Sequence, residues 1–175
     1  MLSAFGSKHP AIVHLPIGIL TLYSLLEIVS LNKKLKNPFV KHLKIFLSVI
    51  GVLFALPAYF AGNILEETRY GDPILEYHDT FASATLTLYA IIAVAYLLPI
   101  IFQLPMLQSV QFLKTKPIQA FYKFSQFLLQ PMIIVPLSLL TLILLTITGA
   151  LGGAMAHGPS ADPVVAYIYH IFFTQ

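Results

Sequence analysis

The sequence has no cysteine, and only 10% of its 175 residues are charged. The absence of cysteine excludes structural disulfides, iron–sulfur clusters, thiolate zinc sites and covalently attached c-type haem. Soluble domains carry about 25% charged residues, so the scarcity of charge argues against that class. With 58% hydrophobic residues and a mean hydropathy of +0.84, the composition predicts an integral membrane protein.

Charge is nearly absent from four blocks, at about 11–31, 45–62, 80–103 and 132–156. A helix rises 1.5 Å per residue, so it needs about 20 residues to cross a hydrocarbon core of about 30 Å. Each block therefore predicts one crossing. Because short connections favour antiparallel neighbours, we expect an all-α, up-down four-helix bundle that forms a single membrane domain over 1–175.

Two segments outside the crossings are also apolar. In the segment at about 117–130, Ile118, Phe121 and Leu128 share one helical side with lysines elsewhere, which predicts a helix lying on the inner leaflet. The tail at 158–175 contains a run at 164–173 that is too short to span. We expect this tail at the outer interface or against a partner subunit.

The basic residues separate by membrane side. Eight of the ten lie in the two connections that follow crossings one and three: Lys33, Lys34, Lys36, Lys41, Lys44, Lys114, Lys116 and Lys123. The positive-inside bias makes those connections cytoplasmic and both termini extracytoplasmic, in a bacterial inner membrane. The pI near 9.1 therefore predicts no nucleic-acid binding.

This topology brings histidines from three helices to one depth. His9 and His14 enter the first crossing from outside, His78 begins the third and His157 ends the fourth. Polar groups at membrane depth are functional by default. Histidine is also tolerated at membrane interfaces, so these residues could lie there without binding a ligand. His42, among lysines, and His170, in the tail, are interpreted as interfacial.

Small residues accompany these histidines. Gly149 and Gly153 precede His157, and Gly18 lies one turn below His14. Small residues let helix backbones approach closely, which explains them without a cofactor. They also leave room beside an imidazole for a flat macrocycle, and bundle cores commonly host such sites.

Two charged residues, Arg69 and Glu27, are candidates for a functional role, and each also has a simpler interpretation. Arg69, the only arginine, lies in the outer connection and is a candidate for binding haem propionates, because guanidinium binds carboxylate bidentately. It is equally a solvated loop residue near Glu66 and Glu67. Glu27 lies inside the first crossing, where it is protonated, paired with a nearby lysine, or part of a proton path.

Three pieces of the chain resemble domain-of-unknown-function family 2231, predicted four-helix bacterial membrane proteins. They are "HPAIVHLPIGIL" at the first crossing, His78 at the start of the third and "GALGGAMAHG" at the end of the fourth. The resemblance covers most of 9–158. Some relatives are joined to c-type cytochrome domains, so it implies a redox setting. The longer inner connection and the apolar tail after Pro163 depart from the family, and we expect them to serve assembly.

The leading hypothesis is a b-type cytochrome or haem-bearing electron-transfer subunit with bis-histidine ligation near the outer face. The ligand candidates, in order, are His14, His78, His157 and His9, which would hold one haem, or two if all four take part. Expected partners are lipid, other membrane subunits or a c-type cytochrome, and quinone. Two alternatives stay open: a structural or assembly subunit without cofactor, and a copper- or zinc-handling protein in which Met155 joins the histidines. No motif identifies a stand-alone enzyme.

Overall fold

The computed structural model describes residues 12–32, 35, 37–66, 72–108 and 110–173, and it is helical nearly throughout that part of the chain. The main elements are α1 (His14–Val29), α2 (Pro38–Glu66), α3 (Pro73–Gln103), α4 (Lys116–Leu128), α5 (Pro131–His157) and α6 (Pro163–Phe173). Two short turns, Pro105–Gln108 and Gln111–Lys114, join α3 to α4.

Prolines mark where several helices begin. Pro38, Pro73, Pro131 and Pro163 are each the first residue of their helix. Proline is favoured there because its fixed φ suits the helix and its missing N–H has no partner to lose. Asp72 adds a cap to α3, since its Oδ1 accepts a hydrogen bond from the Ile74 amide at 3.0 Å.

Four helices pack in a ring. α1 packs against α2 and α5, and α3 packs against the same two helices, so α1 and α3 lie on opposite sides. The core between them contains buried side chains from all four: Leu20, Tyr23, Leu47, Tyr89, Ile92, Tyr96, Ile134 and Leu145. α1 and α2 approach closely at Gly51, where a Cβ atom would lie 2.5 Å from Cδ2 of Leu20.

Three of these helices are long and apolar enough to cross a membrane: Pro38–Ile64 within α2, the whole of α3, and the whole of α5. The fourth helix, α1, is also apolar, but its 16 residues are fewer than the roughly 20 that a crossing needs. Helix α2 is longer than the predicted block at 45–62. It begins among lysines because long side chains at a helix end reach past the apolar region to the interface.

Helix α4 confirms that the predicted amphipathic segment is helical. It packs along the end of α3, where the rings of Tyr122 and Phe102 stack with their centroids 4.7 Å apart. Its opposite side exposes Phe121, Phe124 and Phe127. The predicted apolar side was therefore only partly right, since Ile118 and Leu128 are half-buried while Phe121 is exposed.

Helix α6 folds back onto the end of α5 rather than standing apart. Ala150, Leu151 and Ala154 of α5 form a buried cluster with Val165 and Ile168 of α6. The predicted apolar tail is thus a helix, and one of its faces packs on the glycine-rich end of α5.

Candidate functional site

A cavity of about 510 Å³ lies among α1, α2, α3 and α5, at the end of the ring where α1, α3 and α6 begin and α5 ends. Small-molecule sites in proteins have volumes of about 300–1,000 Å³ and mostly apolar walls with a few polar groups. This cavity is of that kind. Its polar lining comes from His14, Tyr59, Asn63, His78, Asp79, Thr85, Thr148 and His157.

His78 is fixed against the opposite helix. Its Nδ1 atom lies 3.0 Å from the backbone carbonyl oxygen of Thr148. A carbonyl oxygen only accepts, so Nδ1 carries the proton in this contact, and in the neutral ring the lone pair is then on Nε2. Histidines that bind metals usually donate their other ring N–H in this way, which fixes tautomer and orientation.

Two further histidines line the same cavity. His14 enters from the start of α1 and His157 from the end of α5, and both are exposed. Imidazoles from three helices, which the sequence predicted to lie at one level, therefore line one cavity. His9, the fourth candidate, lies outside the described residues. His42 lies away from the cavity lining and donates from Nδ1 to the carbonyl of Pro38 at 2.7 Å.

The glycines near the cavity differ in the space that a side chain would have at each position. Gly149 lines the cavity, and a Cβ atom there would meet nothing within 4 Å. At Gly152 a Cβ atom would lie 3.3 Å from Cε1 of His78, so this glycine makes room for the ring. Gly153 borders the cavity, but its Cβ position faces Val165 of α6 at 3.1 Å, so it mainly admits helix packing. Gly18 is exposed and outside the cavity lining.

Hydroxyl pairs hold the cavity walls together. Tyr59 and Ser83 join α2 to α3 with their oxygens 3.0 Å apart. Thr85 and Thr148 join α3 to α5 at 3.3 Å. The sequence reasoning missed Thr85 and Thr148. Thr85 could have been found from its spacing, because it lies seven residues after His78 and so shares a face of α3 with it.

Arg69, the candidate partner for propionates, lies outside the described residues. Among the described residues, no three His, Asp or Glu side chains come together as a metal-ion site. A bis-histidine haem would take only two ligands from the protein, so a cluster of three is not required for it.

Comparisons found no match to a protein-family model, to a curated protein or to a solved structure. The resemblance to family 2231 stays a prediction.

Proposed function

We propose that this chain is a membrane b-type cytochrome or haem-bearing electron-transfer subunit, with His78 and His14 as the axial ligands. The observation that carries the proposal is the contact between His78 Nδ1 and the Thr148 carbonyl inside a cavity that two other histidines also line. With Nδ1 donating to this carbonyl, Nε2 is the ring nitrogen that would bind the iron.

Two features of the cavity support a porphyrin as its ligand. The cavity has mainly apolar walls, and Gly149 leaves its side open because a Cβ atom there would meet nothing. A few polar groups accompany these apolar walls, as in sites that bind a largely apolar ligand in one orientation.

His14 is preferred to His157 as the second ligand. α1 and α3 lie on opposite sides of the ring, whereas α5, which carries His157, packs directly against α3. Ligands on the two faces of a flat macrocycle have to come from opposite sides.

When bound, haem supplies a one-electron redox centre, and two imidazole ligands leave no open position for oxygen. The protein's own part is to hold and insulate that centre. Thr148 orients His78, the Thr85–Thr148 and Tyr59–Ser83 pairs fix the walls, and apolar residues such as Leu20 and Leu145 exclude water from the cavity floor.

The proposal includes a topology. α1 is taken as the fourth crossing, and the lysine-rich ends of α1 and α2 as cytoplasmic, following the positive-inside bias. In that topology the cavity lies at the extracytoplasmic end of the bundle, where a c-type cytochrome would be within reach, and quinone would approach from the bilayer.

The test is the visible spectrum of protein purified from haem-replete cells, oxidised and dithionite-reduced. Bis-imidazole haem should give sharp α and β bands in the reduced form. His78→Ala and His14→Ala should remove or alter these bands, and His42→Ala, which changes an exposed histidine outside the cavity lining, should keep them. A folded, colourless protein without haem in the pyridine assay would favour the structural-subunit alternative and overturn this proposal.

A further inference from the structure

The outward side of α4 carries a row of aromatic rings. Phe121, Phe124 and Phe127 are each more than half exposed, and their spacing of three residues aligns them along one flank of the helix. The other side of α4 packs along the end of α3, where Tyr122 stacks and Ser125 is buried. The phenylalanine row, Phe121, Phe124 and Phe127, therefore faces away from the bundle.

Three exposed lysines border the phenylalanine row. Lys116 and Lys123 are seven residues apart on α4, and Phe127 lies four residues after Lys123, so these side chains share one flank. Lys114 lies in the short turn that precedes the helix. A lysine can lay its apolar stem along such a surface and keep its ammonium group in the polar layer.

The three lysines, Lys114, Lys116 and Lys123, have no acidic neighbour along the chain. Between Asp79 and Asp162 the sequence contains neither aspartate nor glutamate. The acidic residues lie in 66–79 and at Asp162, at the end of the bundle that contains the cavity, with Glu27 as the one exception.

Glu27 is already neutralised. It is 3% exposed, its Oε1 accepts from Lys44 Nζ of α2 at 2.7 Å, and its Oε2 accepts from the Tyr96 hydroxyl of α3 at 2.5 Å. Of the sequence interpretations, pairing with a lysine is therefore right. The charge of the three lysines is thus left without an acidic side chain of this chain to balance it.

An anionic lipid surface fits both halves of this side of α4. Aromatic rings on such a helix enter the boundary between head groups and acyl chains, and basic residues beside them add attraction to anionic lipids. A second copy of this chain in the same orientation fits poorly, because it would bring lysines against lysines. Its acidic residues lie at the other end of the bundle.

We propose that α4 is a binding surface for anionic phospholipids. The phenylalanine row inserts among acyl chains, and the three lysines bind the lipid phosphates. Lysine meets phosphate as a point charge rather than through a fixed fork of donors. The surface therefore selects lipids by net negative charge, and this end of the bundle is enriched in them relative to zwitterionic lipid.

The test is fluorescence quenching at a single site on α4. Because the chain has no cysteine, Ala120→Cys provides one attachment point for a fluorophore, at an exposed position one turn from Lys116 and from Phe124. The labelled full chain is reconstituted into bilayers of phosphatidylcholine and phosphatidylglycerol. In paired samples, one lipid or the other carries a nitroxide on its acyl chain at the same mole fraction. We expect nitroxide-labelled phosphatidylglycerol to quench about twofold more strongly or better, because each lysine adds attraction to an anionic surface.

The decisive variant combines Lys114→Gln, Lys116→Gln and Lys123→Gln, and it should lose most of this preference. The matched control replaces the same three lysines by arginine, which keeps the charge and should keep the preference. High salt should weaken the preference as well, because it screens exposed charges. If the glutamine variant loses its helical circular dichroism, Lys123→Gln alone stands in and should lower the preference.

Three outcomes would overturn the proposal. The first is equal quenching by the two lipids in the labelled parent protein. The second is an unchanged preference in the folded glutamine variant. The third is a label that neither lipid quenches, which would show that another protein or a second copy covers this side of α4. Because a colourless preparation serves equally well, failure here is separate from failure of the haem proposal.

Discussion

Gly152 of α5 lies directly against the ring of His78 of α3. A Cβ atom at Gly152 would lie 3.3 Å from Cε1 of His78, so the ring would have to move by a few tenths of an ångström. We expect Gly152→Ala to fold, but to bind less haem or to show shifted visible bands, because the orientation of a metal-binding histidine tunes the site. Thr146→Val, on the exposed side of α5, is the control. Identical spectra for both variants would show that the ring's position does not matter.

Substitution of Gly149 distinguishes a porphyrin from a small metal ion as the ligand of the cavity. Leucine at this position would extend into open space in the cavity. We expect Gly149→Leu to keep a melting temperature at or above that of the wild type and to lose haem, because the side chain takes the volume a macrocycle needs. A metal ion needs only converging ligands, so metal content would persist. An unchanged haem spectrum in this variant would show that the macrocycle does not lie against Gly149.

Gly153→Leu should act on α6 instead. The new side chain would meet Val165, already 3.1 Å from the Cβ position. Overpacking typically costs about 1–3 kcal/mol, so we expect α6 to loosen from α5 while the visible spectrum stays nearly unchanged. Limited proteolysis in the 158–162 connection should become faster. Loss of haem with unchanged proteolysis would mean that Gly153 faces the cofactor, as the sequence alone suggested.

Lys44→Met should strongly destabilise the protein. Lys44 Nζ lies 2.7 Å from Oε1 of Glu27, which is 3% exposed, so the substitution leaves this carboxylate buried without its cation. Breaking a buried ion pair from one side costs about 3–5 kcal/mol. The measurement is the free energy of unfolding in detergent. Glu27→Met combined with Lys44→Met should recover most of the loss, because neither charge then remains buried. If the double variant is as unstable as Lys44→Met alone, the ion pair is not the cause.

The topology predicts that a reporter fused after Gln175 is active only in the extracytoplasmic compartment, because eight of the ten basic residues lie in the opposite connections. A second fusion in the connection at 109–115 should report the cytoplasm. Cytoplasmic activity from the first fusion would overturn the orientation, together with the proposed side of the cavity.

The sequence predicted the elements that periodicity and charge determine. The helices that contain His78 and His157 follow from runs of apolar residues bounded by proline and charge, and the grouping of His14, His78 and His157 followed from antiparallel helices of similar length. The hydrogen bond of His78 could not be predicted in the same way. Its partner is a backbone carbonyl, and any residue at position 148 has one.

The hydrogen bond from the Tyr96 hydroxyl to Glu27, with Tyr23 and Tyr89 packed beside it, could not be predicted for a different reason. Tyr89 and Tyr96 are seven residues apart on α3, and Tyr23 and Glu27 are four apart on α1, so each pair shares a helix face. That spacing is visible in the sequence. Which face turns toward the other helix depends on how four helices rotate against each other, and a stripe of aromatic residues fits the lipid as well as the core.

We expect the stacking of Tyr122 on Phe102 to influence how the bundle is positioned in the bilayer. α4 is fastened to one end of α3, and its exposed phenylalanines favour lipid over water. Interfacial anchors of this kind fix helix tilt and depth. His78 lies on the same continuous helix, about 36 Å away at 1.5 Å per residue. In the proposed topology, an anchor at one leaflet would hold the imidazole near the other leaflet at a constant height, and the bundle would resist sliding along the membrane normal when lipid thickness changes.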